Sequence, residues 1–171
     1  ENAITVAPGA NSELLPEDLD EAEEAFHEAD YMLIQLEIPI ETVQKAVELC
    51  TEFNTTIIIN PAPAAELPDK ILEAANIITP NEGEAEKLTG IKVEDEEDAA
   101  RASKKLHELG VDTVIITMGS QGAFLSDQAS GVGVMIRGFK VDAVDTTAAA
   151  DVFNGQLAVA LSEGEKLQDA I

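Results

Sequence analysis

The sequence has no tryptophan, a single tyrosine, a single cysteine and only ten basic residues against thirty-four acidic ones. Each shortage excludes something. One cysteine, Cys50, cannot form an internal disulfide, and its place in "AVELCTEF" on a helical pattern marks an inert buried thiol. Nothing here requires an oxidising compartment, and a cytoplasmic setting is the expectation. No apolar run approaches the ~18–20 residues of a membrane-spanning helix. The opening residues, "ENAITVAPGAN", carry neither a basic region nor an apolar stretch of the signal type. A formal net charge of −24 repels nucleic acid and anionic membranes, so neither is expected as a partner. No Walker-type G-x-x-x-x-G-K-[ST] occurs, and no His/Cys/Asp group has transition-metal spacing.

What is present is a soft prior for one domain: 171 residues, 45% of them apolar. The acids are scattered along stretches such as "PEDLDEAEEAFHEA" and "VEDEEDAARASKKLHEL", the pattern of a solvated acidic surface. Adaptation to salt, or a surface chosen for solubility, gives the same pattern. An anionic ligand must bind against this field, which calls for a metal ion's help.

The organisation is an alternation of strands and helices. "AITVA" reads as a strand and residues 16–29 as a helix, with Pro16 at its first position and Leu19, Ala22, Phe26 and Ala29 on one stripe. "YMLIQLE" is a continuous apolar strand of the kind covered on both faces. "PIETVQKAVELCTEF" is a helix, "TTIIIN" a β-branched strand and "PAPAAELP" a stiff loop. A short helix near Lys70–Ala75, strand "NIITP", and helices "NEGEAEKLTG" and "VEDEEDAARASKKLHELG" follow, the last closed by Gly110. Val111–Thr117 and Ala123–Ser126 read as strands joined by a tight turn at Gly119–Gly122, and "GVMIRGFKV" as a strand near a sheet edge. A helix runs from about Thr147 to Ser162, and "EKLQDAI" begins another. The expected fold is therefore α/β: a doubly wound, mostly parallel sheet with helices on both faces, a Rossmann-like three-layer αβα domain spanning 1–171.

In such sheets ligands sit beyond the C-terminal ends of the strands. That rule selects Gln35–Glu37, Asn60–Pro63, Thr79–Glu84 and Thr117–Gly122, with the turn at Thr146–Asp151 as a fifth place. A helix opening on "TTAAAD" presents unpaired N–H groups and a partial positive charge, with small residues that let an anion approach. Asp151 in the first turn could take a proton from a hydroxyl while the amides stabilise a transferring group. The same residues also make an ordinary helix start. Other single residues have plain readings too. Glu84 is surface charge, "GSQG" a hairpin turn, Glu37 a strand-end acid and Asn60 a loop tie. Met32, Met118 and Met135 are core fillers, and His27 and His107 face solvent.

Taken together, "AVDTTAAADVFNG", "LIQLEIP", "INPAPAAELP", "IITPNEGEAEKLTG" and "VIITMGSQGAFL" resemble, in order and spacing, the ribokinase-type sugar kinases of the PfkB carbohydrate kinase family. The resemblance covers nearly the whole chain. It implies a ribokinase-like fold, ATP and Mg2+ as cofactors, and a monovalent cation, K+. It implies phosphoryl transfer from ATP to D-ribose, giving ribose 5-phosphate. Asp151 would be the general base, and Ala148, Ala149 and Ala150 the anion hole. Asp145 and the carbonyl of Thr147 would hold the cation. Asn81 and Glu84 would position the magnesium-bound phosphates, and Thr117, Gly119, Ser120 and Gly122 would lie along the nucleotide. Glu37 would contact the sugar.

Three departures stand beside the resemblance. The family's glycine before the catalytic aspartate is Ala150 here. If that residue needs positive φ, alanine costs about 1–2 kcal/mol; if it is helical, the cost is a methyl crowding the anion hole. The family's N-terminal sugar-binding and lid part, and its last helices, lie outside this sequence. Two expectations follow. One is a sugar kinase, of which this chain supplies the nucleotide and anion-hole half. The other is a half-domain, natural or designed, that folds and holds nucleotide phosphates without turnover. A face left where the other half would dock is expected to favour a homo-oligomer.

Overall fold

The computed structural model describes residues 7–142 and 144–171. The strand expected at "AITVA" lies, but for Ala7, outside the described residues. The chain enters through two 3-10 segments, Gly9–Glu13 and Pro16–Ala22, and a short helix α1 (Glu23–Glu28). The helix expected over 16–29 is thus split. Its first half tightens into 3-10 turns, where the Asp18 carboxylate accepts the Leu15 N–H at 2.7 Å.

Six strands follow: β1 (Tyr31–Ile34), β2 (Thr56–Ile59), β3 (Ile77–Ile78), β4 (Thr113–Thr117), β5 (Gly122–Asp127) and β6 (Val132–Arg137). They form one sheet in sequential order β1-β2-β3-β4-β5-β6. Pairs from β1 to β4 are parallel and the last two pairs antiparallel. The helices are α2 (Ile40–Phe53), α3 (Asp69–Ala74), α4 (Glu82–Thr89), α5 (Glu96–Glu108), α6 (Ala149–Ser162) and α7 (Leu167–Ala170).

Strand periodicity sorts the core into two layers. Ile57, Ile59, Ile78, Val114 and Ile116 face Val43 and Val47 of α2, Ile71 of α3, Ala85 of α4 and Leu106 of α5. Ile58, Ile77, Ile115 and Leu125 face Leu157 and Ala160 of α6 and Ala170 of α7. Helices therefore cover both faces, and α6 is the element that crosses to the second. All three methionines pack into or against the first layer, and Cys50 is fully buried there.

Two expectations need correction. "YMLIQLE" does not form a strand covered on both faces. β1 stops at Ile34, is the outermost strand of the sheet among the described residues, and leaves Leu33 41% exposed. A continuous apolar run does not distinguish an edge strand from a central one. His107 does not face solvent: its ring is half-buried, with Nδ1 2.8 Å from the Val111 carbonyl and Nε2 2.8 Å from Ser126 Oγ. The imidazole thus pins the end of α5 to β5. His27, by contrast, is exposed and meets the Phe53 ring edge-on.

Candidate functional site

The parallel strands β1 to β4 end along one edge of the sheet, and four polar side chains tie those ends to α6. Gln35, just past β1, donates from Nε2 to Asn60 Oδ1 at 3.1 Å and to Asp151 Oδ1 at 3.0 Å. Asn60, 2% exposed at the end of β2, donates from Nδ2 to the Thr79 carbonyl at 3.0 Å. The Thr79 hydroxyl, past β3, donates to Asn154 Oδ1 at 2.6 Å. Asn154 Nδ2 donates to the Ala150 carbonyl at 2.9 Å. The base candidate therefore points at the strand tips and not away from them.

Helix α6 opens differently from the expected start at Thr147. Its N-cap is Ala148, in the left-handed region at φ 59° and ψ 15°, and Ala149 is its first residue. The turn before it is built by Asp145, whose Oδ1 accepts the Thr147 N–H at 2.8 Å. The Thr147 hydroxyl and amide, with the Thr146 amide, hold the Asp145 carboxyl below the ordinary range. Ala150 lies within the helix and has no positive φ. Among the described residues, no hydrogen bond engages the backbone N–H of Ala150 or Asp151. Residues 144–151 are all exposed, so these amides open onto solvent. Alanine methyls are the only side-chain bulk at positions 148–150, which suits a phosphate.

Asn81 and Glu84 meet reciprocally at the head of α4. Asn81 Oδ1 accepts the Glu84 N–H at 2.9 Å, and Glu84 Oε2 accepts the Asn81 N–H at 2.8 Å. This capping box explains why a glutamate is only 7% exposed. Burial pushes the Glu84 carboxyl above its ordinary value; the Asn81 amide pulls it back in part, and the Glu82 charge raises it. Asn81 also bridges to Thr117 at the end of β4, where the Thr117 N–H donates to the Pro80 carbonyl at 2.9 Å. The "NEGE" cap and the β4 turn are thus neighbours.

The turn at Gly119–Gln121 is a single 3-10 turn with Gly119 at φ 52°. Gly122, at φ 111°, is required by packing alone: a Cβ there would lie 2.0 Å from the Ile136 carbonyl oxygen. Ser120 is exposed and shares a shallow hollow with Glu96, Met135 and Arg137. Glu37 stands exposed two residues past Gln35 and makes no hydrogen bond among the described residues.

Among the described residues no group of three His, Cys, Asp or Glu could hold a metal ion. Volume does not mark the site. A groove of about 730 Å³ lies at the opposite end of the sheet, between α2 and α3, lined by Val47, Cys50, Thr56, Ile71 and Asn76. Asn154 and Thr79 fall within "AVDTTAAADVFNG" and "IITPNEGEAEKLTG", but neither motif assigns them a role. Besides its place in that motif, a polar residue on the otherwise apolar face of α6 is the signal that could have shown Asn154.

Free amides and a carboxylate at a helix mouth, set over the carboxyl ends of parallel strands, belong to an α/β protein of ribokinase-like fold. The sequence matches the pfkB family carbohydrate kinases over residues 1–171, and the chain belongs to that family. It is 43% identical to the ribokinase of Haemophilus influenzae over all of its length and 55% of that protein's. The structure of Arabidopsis thaliana ribokinase complexed with ribose and ATP superposes with a TM-score of 0.92 at 30% identity, over 99% of this chain and 55% of that one. A putative ribokinase II from E. coli, in complex with ATP and Mg2+, shares the fold at a TM-score of 0.75 and 22% identity, over 92% and 53% of the two chains. The chain thus spans about half the length of the relatives it matches. Among the described residues no helix is long and apolar enough to cross a membrane.

Proposed function

We propose that this chain carries the nucleotide and anion-hole half of an ATP-dependent sugar kinase that converts D-ribose to ribose 5-phosphate. The observation that supports this most directly is the Asp151 carboxylate, held at the open mouth of α6 and turned toward the strand tips by Gln35. In this reading Asp151 deprotonates the sugar hydroxyl, and the amides of Ala148 and Ala150 take the charge of the transferring phosphoryl group, the Ala149 N–H being shared with the Thr146 carbonyl at 3.2 Å. Asn81 and Glu84 position the magnesium-bound phosphates, and the β4 turn, with Thr117, Gly119, Ser120 and Gly122, lies along the nucleotide. Mg2+, when bound, neutralises phosphate charge, which matters more than usual on a surface of net charge −24. Asp145, kept ionised by Thr147, and the Thr147 carbonyl are offered as ligands for a K+ ion. Glu37 is offered as the sugar contact. A cytoplasmic location goes with this reading, because ATP and a reduced thiol belong there.

A second reading rests on apolar side chains left exposed on β1 and α6: a module that holds nucleotide without turnover. Exposed Leu33 of β1 and Val152 and Val159 of α6 would then favour self-association through that face. ADP release with ribose and magnesium separates the two. Turnover that disappears in Asp151→Asn supports the kinase. Nucleotide binding without turnover supports the module. Absence of any nucleotide binding sinks both.

A further inference from the structure

The geometry points to Gln35 as the positioning residue for the Asp151 carboxylate, acting as the closing link of a polar ring that joins the ends of β1, β2 and β3 to α6. The inference rests on the reading of Asp151 as the base, but its evidence is separate. Donor and acceptor roles in the ring are fixed, with Gln35 donating both ways. Asn154 spends Nδ2 on the Ala150 carbonyl, which leaves Oδ1 to accept from Thr79. Asn60 spends Nδ2 on the Thr79 carbonyl, which leaves Oδ1 to accept from Gln35. Gln35 Nε2 then has its second proton for Asp151 Oδ1. Reversing the Gln35 amide would set its oxygen against two acceptors, so neighbours fix its orientation.

Two consequences follow. Gln35 holds Asp151 Oδ1, one residue along from the Ala150 carbonyl that accepts from Asn154. The exposed carboxylate gains a fixed rotamer without being buried, which leaves the second oxygen open to a substrate hydroxyl. The three strand ends also become one rigid body with the helix mouth, so the base and the free amides keep their spacing. Chains of hydrogen bonds that polarise one another suit this task. A glutamate at position 35 would reverse it, placing like charge against Asp151.

The test uses the whole chain with 15N-labelled glutamine side chains, the Gln35 signals being assigned by their loss in Gln35→Leu. Two well-separated, slowly exchanging Nε2 proton signals are expected. Asp151→Ala should shift one of them toward a solvent-exposed amide. Thr79→Val, near-isosteric and touching neither Gln35 nor Asp151, removes the hydroxyl bond to Asn154 Oδ1 but keeps the Thr79 carbonyl that holds Asn60, so it should shift the Gln35 pair by less than Asp151→Ala does. Circular dichroism confirms that each variant is folded. A near-degenerate, solvent-like pair in the unsubstituted chain, or a pair indifferent to Asp151→Ala, overturns the proposal. A Mg–ATP titration is read alongside. No nucleotide binding with the Gln35 pair intact means that the kinase reading has failed and the ring has not. Where ADP release is measurable, Gln35→Leu should lower kcat about 10- to 100-fold with KM for ATP nearly unchanged. Gln35→Glu should lower it at least as far, and equal losses in kcat and ATP affinity would count against positioning.

Discussion

The left-handed backbone at the mouth of α6 falls on Ala148, at φ 59°, while Ala150 two residues later is helical. The sequence directs attention to Ala150, because that is where the family's glycine is replaced. The strain sits elsewhere. An L-residue in this region costs about 1–2 kcal/mol, and Ala148 has no side-chain hydrogen bond to offset it. Ala148→Gly should therefore raise stability by about 1 kcal/mol or somewhat less, glycine's own entropy being subtracted. Ala150→Gly should do the reverse, by up to about 1 kcal/mol, as a glycine inside a helix. Urea denaturation of the two variants settles the order. If Ala150→Gly nevertheless binds phosphate more tightly, the methyl and not the backbone is what crowds the site.

Glu84 ties stability to pH at the head of α4. Its folded value is raised by burial, so the folded chain holds the proton to a higher pH than the unfolded chain does. Stability is thus lost as pH rises from the ordinary carboxylate value through the raised one. Glu84→Gln keeps an acceptor for the Asn81 N–H while removing the buried charge. It should flatten the pH dependence in that window and leave the protein at least as stable at pH 7. Under the proposed function it should also weaken Mg–ATP binding. Thermal melts from pH 4 to 8, paired with nucleotide titration, test both effects at once.

The two glycines of "GSQG" should behave unequally. Gly119 is at φ 52° with open space around its Cβ position, so Gly119→Ala should cost about 1–2 kcal/mol of backbone strain. Gly122→Ala would drive a methyl into the Ile136 carbonyl and the Gly138 amide, 2.0 and 2.5 Å away. The β5–β6 hairpin must separate there, and a loss above about 3 kcal/mol, or failure to fold, is expected. Equal costs for the two would show that the hairpin is free to shift.

What the sequence makes legible follows from what periodicity records. Ile57, Ile58 and Ile59 announce a strand, which appears as expected because the signal and the cause are local. Glu84 instead misleads: an acid among acids reads as surface charge, while the Asn81 cap holds it buried. The order of strand ends follows from the alternation, so Gln35, Asn60, Thr79 and Thr117 fall on one edge as expected. The ring through Asn154 is not legible, because its partners lie 75 and 116 positions apart and no local pattern couples them. Nor is the outermost place of β1 among the described strands, since Leu33 is apolar whether or not anything covers it. His107 misleads for the same reason: an acidic helix suggests solvent, while the Val111 carbonyl and Ser126 supply a partly buried niche.

Cys50 gives a readout of the whole fold. It is fully buried between α2 and the sheet, and burial pushes its thiol from 9.0 to about 11. Both facts withhold the thiolate that reacts with alkylating agents. Native chain should therefore resist iodoacetamide at pH 8, and labelling should track unfolding in urea. The linkage runs the same way. Between about pH 9 and 11 the unfolded chain releases the proton while the folded chain keeps it, so stability should fall across that window. Cys50→Ala removes that slope, although the space it leaves in a packed layer lowers stability at every pH. Rapid labelling of the native chain would mean that the groove between α2 and α3 opens far enough to expose Cys50.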